Sequence, residues 1–179
     1  MNVNNYTDYF RQMAVKHKDL RHDPASETGD APIGSKHFGR FGSEEVITGL
    51  KSKVDWPALL VEMYEWKSKS EQAYSVVGDY AGGFSVYATA NPENLNEVQE
   101  AFTFTESIMQ DVLAKIWQDH YGPDKDMCNS PFKLFDFNSL EVMPVGPVFD
   151  RQFGWRCTFS FIFNNLKKIT TAPEPGTFI

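Results

Sequence analysis

Four histidines and two cysteines are the residues of this chain most able to do chemistry: His17, His22, His37 and His120, with Cys128 and Cys157. Asp19 and Asp23 lie near the first three histidines, so a metal site is the first possibility to weigh. Such a site needs ligands converging at about 2 Å on one ion from rigid elements. His17 and His22 are five residues apart, off a common helix face, and His37 falls in a glycine-rich stretch. The expectation is ordinary surface histidines, with no metal and no cofactor.

Nucleophilic catalysis has no better footing. There is no G-x-S-x-G elbow, and Cys128 sits in a polar loop that only a turn towards His120 would pair with a base. Cys157 alternates with aromatic residues and reads as a small buried apolar side chain. The carboxylate pairs Glu44–Glu45 and Asp124–Asp126 lack the apolar surroundings that raise a catalytic pKa. No catalytic residue is therefore assigned.

The stretch GSKHFGRFG looks superficially like a phosphate cradle but lacks G-x-x-x-x-G-K-[ST] and its strand–helix bracket. Lys36, His37 and Arg40 interleaved with Phe38 and Phe41 suit either a stacked nucleic acid or a neighbouring subunit. The formal charge of −7 favours the subunit, and no direct contact with nucleic acid is expected. Much of that acidity falls between Glu93 and Asp126, where eight acids face two lysines along the best helical segment. A solvated helix face accounts for it.

The elements that would position these residues follow from periodicity. Tyr6, Tyr9, Phe10, Met13 and Leu20 space a helix over 5–20, with Asn5 or Thr7 as its cap. Residues 21–42 hold six glycines and prolines and read as a long loop. PALLVEMYEWKSK reads as one strand, with Leu60, Glu62, Tyr64 and Trp66 on one face. AGGFSVYATA follows as strand, with Gly82–Gly83 marking a turn or bulge. Leu95, Val98, Phe102, Met109, Val112, Leu113, Ile116 and Trp117 stripe a long helix, with a break expected at 102–105 and a stop at Gly122–Pro123. FKLFDFNSLEVMPV is a strand whose Pro144 and Pro147 confine its far end to an edge or a loop. In RQFGWRCTFSFIFN, Phe153, Trp155, Cys157, Phe159, Phe161 and Phe163 alternate strictly and line one strand face.

The fold class is thus α+β: one mostly antiparallel sheet of four to five strands, backed by an N-terminal helix and a longer central helix. Residues 1–165 form one domain, with 166–179 an extended C-terminal arm. The start, MNVNNYTDYF, lacks the basic and apolar regions of a signal peptide, and no run approaches 18 apolar residues. The expectation is a soluble protein that is not secreted, with no membrane contact.

In element order the chain resembles the tail-terminator and tail-completion (neck) proteins of long-tailed bacteriophages. The matching pieces are TDYFRQMAVKH, WPALLVEMYEW, GGFSVYATA, the helix TESIMQDVLAKIWQD and the closing hairpin SLEVMPVGPVFDRQFGWRCTFSFIFN. The likeness spans residues 4–165 by order of elements, and the long loop and tail depart from it. It implies a non-enzymatic ring, often sixfold, that caps the tail tube or joins it to the head, located in the virion or the bacterial host cytoplasm. Partners would be copies of itself and other tail or neck proteins. Phe38, Arg40, Phe41, Phe178 and Ile179 are the residues expected to touch neighbours. Two other readings stay open: a protein–protein interaction module, and a small enzyme or ligand-binding domain with a pocket between sheet and helix.

Overall fold

The computed structural model describes residues 3–27, 34–41, 54–68, 78–122 and 134–162. Helix α1 runs Val3–Lys16, and a 3-10 turn covers Pro24–Glu27. The strands are β1 Phe38–Phe41, β2 Ala58–Glu62, β3 Glu65–Ser68, β4 Gly78–Thr89, β5 Leu134–Val148 and β6 Gln152–Ile162. Helix α2, Leu95–Tyr121, lies between β4 and β5 in sequence. The sheet order is β1-β2-β4-β6-β5, with β3 also on β4. Only β1–β2 is parallel among the described pairs, so the sheet is mixed and has six strands, slightly more than the sequence suggested.

Both helices pack on one face. Tyr6, Phe10, Met13 and Ala14 of α1 and Ile108, Met109, Val112 and Ile116 of α2 are buried against Leu59, Val61, Phe84, Val86, Cys157, Phe159 and Phe161. Helix α1 ends at Lys16, earlier than its apolar spacing implies. Arg21 turns left-handed at φ 48, and the N–H of His22 reaches back to the Ala14 carbonyl at 3.1 Å, which tucks Leu20 into the core. Asn5 and Thr7 lie inside the helix rather than capping it.

The stretch expected as one strand from Ala58 to Ser68 is two. Between the pairs Val61↔Phe84 and Glu65↔Ala81, four steps on β2–β3 match three on β4. One extra residue moves every later side chain to the other face. Glu62 keeps the face of Ala58 and Leu60, which neither α1 nor α2 covers, whereas Tyr64 changes sides and packs its ring 5.3 Å from Tyr6 on the helix face. Gly82 and Gly83 do not end a strand: β4 runs unbroken through both. A Cβ at Gly82 would fall 2.7 Å from the Tyr6 hydroxyl, so the glycine makes room for α1.

Helix α2 is capped as its sequence allows. The Asn94 side chain accepts from the N–H groups of Asn96 and Glu97, and Glu97 returns a bond to the N–H of Asn91 at 3.0 Å. No break occurs at 102–105. The buried Thr105 hydroxyl donates to the Ala101 carbonyl at 2.7 Å, and the Phe102 carbonyl accepts from Trp155 Nε1 at 2.9 Å, fixing this turn to β6. Leu95 and Trp117, both counted in the apolar stripe, are exposed.

Candidate functional site

The region read as a docking loop is largely built into the fold. Asp55 donates its N–H to the Lys36 carbonyl at 2.8 Å, Leu59 donates to the His37 carbonyl at 2.9 Å, and 38–41 become an edge strand. Phe38 is therefore corrected as a neighbour contact. It is only 2% exposed, and it packs 5.6 Å from the His22 ring with the Arg11 guanidinium 5.7 Å from its centroid. Arg40 stays exposed on the same strand. Phe41 contributes backbone to β1, and its side chain lies outside the described residues, as do Phe178, Ile179, Phe163 and Cys128.

The histidines are not the ordinary surface residues their neighbours in sequence suggested. His22 is buried and holds Glu27 Oε1 at 3.0 Å, where Arg11 Nε also donates at 2.7 Å. Burial works to raise the Glu27 pKa, but the bonds from His22 and Arg11 outweigh it and hold the carboxyl below its ordinary value. His17 reaches Asp111 of α2 at 3.2 Å. His37 Nδ1 lies 2.8 Å from the Pro57 carbonyl, and His120 Nε2 accepts the N–H of Phe135 at 3.2 Å. They belong to four separate contacts, and among the described residues no group of three metal-ligating side chains converges.

The acidic helix face is likewise only partly solvated. Tyr9 donates to Asp119 Oδ2 at 2.9 Å while Lys115 pairs with the other oxygen, so Asp119 ties α2 to α1. Burial first, then Asp119, pushes the Tyr9 phenol up. Cys157 is pushed up to about 12, mainly by burial, and is inert as a nucleophile.

On the face that no described helix covers, Arg156 grips Glu62 with two bonds, Nε–Oε1 at 2.5 Å and Nη2–Oε2 at 2.7 Å. The pair spans β4 above Gly83, and Ala58, Leu60 and Tyr87 lie buried on the same face. That bidentate pair was not legible from sequence, because β2 and β6 are far apart in the chain and only the sheet order brings the two side chains together across β4.

Among the described residues, β5 and the adjoining end of α2 expose large apolar side chains, as do Met63, Trp66, Leu95 and Phe104 elsewhere. β5 is the edge strand beyond β6, and its register breaks between Asp136 and Glu141 and again before Val148. In the first break Ser139 Oγ accepts the Ser160 N–H at 2.7 Å and donates to the Asp136 carbonyl at 2.6 Å, so the bulge is fully tied. Past it, Val142 pairs with Cys157 and Met143 with Arg156, placing them on opposite sheet faces, and they are 43% and 40% exposed. Pro144 and Pro147 remove two backbone donors from the strand, which discourages strand addition and leaves side chains as the means of contact. Nearby, Trp117 and Tyr121 are 52% and 57% exposed, and Tyr121 packs 5.4 Å from Phe137 of β5. Two sheet-edge side chains and two helix-end aromatics can bury apolar area against a protein partner. Comparison with protein-family models, curated proteins and solved structures finds no match to this chain.

Proposed function

We propose that this chain is a non-enzymatic structural component of a phage or prophage tail or neck, which assembles with copies of itself into a ring. The observation that carries the reading is the apolar edge of β5, with Val142 and Met143 exposed on both faces of a strand blunted by proline. Aromatic and aliphatic side chains that stay exposed in a protomer contribute most when buried at a subunit interface. The order of elements seen in the sequence, helix, sheet, crossing helix and closing hairpin, recurs in the fold and supports the same reading.

The interior supports it too. The layer between the sheet and α2 is filled by Phe84, Ile108, Met109, Val112, Cys157 and Phe159, all buried. His17, His22, His37, His120, Glu62 and Asp119 are engaged in ties between segments. Arg40, at the opposite edge of the sheet from β5, together with Phe178 and Ile179 of the arm, would supply further contacts to neighbours. Absolute mass by light scattering over a concentration series, with negative-stain images of any large species, tests the proposal. Closed rings of uniform mass are expected, and a monomer that stays monomeric when other tail or neck proteins are added would overturn it.

A further inference from the structure

His120 sits in the last turn of α2, and its Nε2 is the acceptor for the backbone N–H of Phe135, the second residue of β5. An amide N–H can only donate, so Nε2 must carry its lone pair and the ring is neutral, with its proton on Nδ1. Adding a proton at Nε2 would turn the acceptor into a donor and set two N–H groups against each other. The bond and the imidazolium are mutually exclusive. We propose that His120 is a pH-sensitive latch, which fastens the end of α2 to the start of β5 when neutral and releases that corner when protonated.

The surroundings bias the ring towards the latched form. Among the described residues the rings packed on it are Tyr121 at 5.0 Å, Phe137 at 6.4 Å and Phe135 at 6.5 Å, none of them a carboxylate or an amine. On its own helix, Asp119 is occupied by Tyr9 of α1 and by Lys115. On β5, Asp136 is exposed and accepts the N–H of Asn138 at 3.0 Å. Burial pushes the His120 pKa below its ordinary 6.5. The carbonyl end of the helix favours the cation, but that partial charge acts against a bond the cation cannot make.

The sign follows. A base whose folded pKa lies below its unfolded one binds more protons unfolded, so its contribution is complete above about 6.5 and is lost as pH falls below that value. Phe135 is a core residue, 4.9 Å from the Phe159 ring, and Phe137 forms the aromatic contact with Tyr121. Release therefore loosens the corner beside the open edge of β5.

The test follows the Phe135 amide by hydrogen exchange, corrected for intrinsic rates, alongside the His120 ring by NMR, between pH 8 and pH 5. In the native chain the ring should titrate below 6.5, and Phe135 protection should fall by up to about tenfold for each pH unit between 6.5 and that midpoint and level off below it. His120→Gln keeps an acceptor oxygen at every pH, so protection should persist without the step. His120→Phe keeps the packing but no acceptor, so protection should be low throughout. A native ring that titrates at or above 6.5, or a native protection profile that matches that of His120→Gln, would overturn the proposal. The native-chain titration decides the matter even if a variant does not fold.

Discussion

Glu62 and Arg156 meet across an intervening strand. Their side chains leave β2 and β6 and join above β4, with Nε–Oε1 at 2.5 Å. The crossing is possible because β4 carries glycine beneath it. A Cβ at Gly83 would lie 2.9 Å from Glu62 Oε2 and 3.1 Å from the Cys157 carbonyl. The pair clamps three strands on the face that no described helix covers.

Gly83→Ala should therefore cost about 1 to 3 kcal/mol, the range for forcing an extra carbon into a packed site. Denaturant unfolding measures it. In a cycle with Glu62→Ala, the two losses should be less than additive, because either change relaxes the same contact. Additive losses would mean that the glycine and the ion pair act independently.

Acid sensitivity should come from Glu27. Its folded pKa is lowered from 4.5, so the stability it adds is complete above that value and disappears as pH falls through the folded pKa. Glu27→Gln should be less stable than the native chain at pH 7 and should lose less on acidification below pH 4.5. Unfolding midpoints from pH 7 to pH 3 test this. Parallel curves would remove Glu27 from the account. The His120 effect occupies a separate window, below 6.5, so the two are distinguishable.

Phe10→Ala should cost about 3 to 5 kcal/mol, as a fully buried aromatic between helix and sheet. Its ring lies 5.3 Å from both Tyr6 and Phe84, and together with Tyr6 it carries the aromatic contact of α1 with the sheet. A loss below about 1 kcal/mol, by thermal or chemical unfolding, would show that α1 contributes little to the core.

The sequence made the core legible wherever one period held over many residues. Cys157, Phe159 and Phe161 alternate in β6, and Ile108, Val112 and Ile116 recur along α2, so their faces could be assigned at once. Local pattern failed where a tertiary partner decided the outcome. The turn at 102–105 stays helical because Trp155, far along the chain, holds the Phe102 carbonyl. Phe38 looked like a surface anchor among glycines, yet parallel pairing with β2 carries it into the core. Tyr64 changed faces because one unpaired residue precedes it, and nothing in MYEW announces that. Of the candidate surface, Pro144 and Pro147 left the far end of β5 as an edge or a loop, and the sheet order decides for the edge. The exposure of Val142 and Met143 could be known only once β5 was seen to lie outermost.

If the arm and the β1 edge reach neighbours, Arg40→Glu and deletion of residues 166–179 should each weaken assembly while far-ultraviolet circular dichroism stays unchanged. Exposed substitutions of this kind move stability by about 0.5 kcal/mol or less. Assembly unaffected by the deletion would remove the arm, with Phe178 and Ile179, from the interface.

The central claim, self-assembly through the apolar edge of β5, is tested most directly by sedimentation velocity of the native chain beside the double variant Val142→Asp, Met143→Asp. Both side chains are exposed in the protomer, so the variant should fold with an unchanged unfolding midpoint. The account predicts a single large species of ring mass for the native chain and a monomer for the variant. Identical rings for both would contradict the assigned edge, and a native chain that sediments as a monomer at every concentration, with or without added tail or neck proteins, would contradict assembly itself.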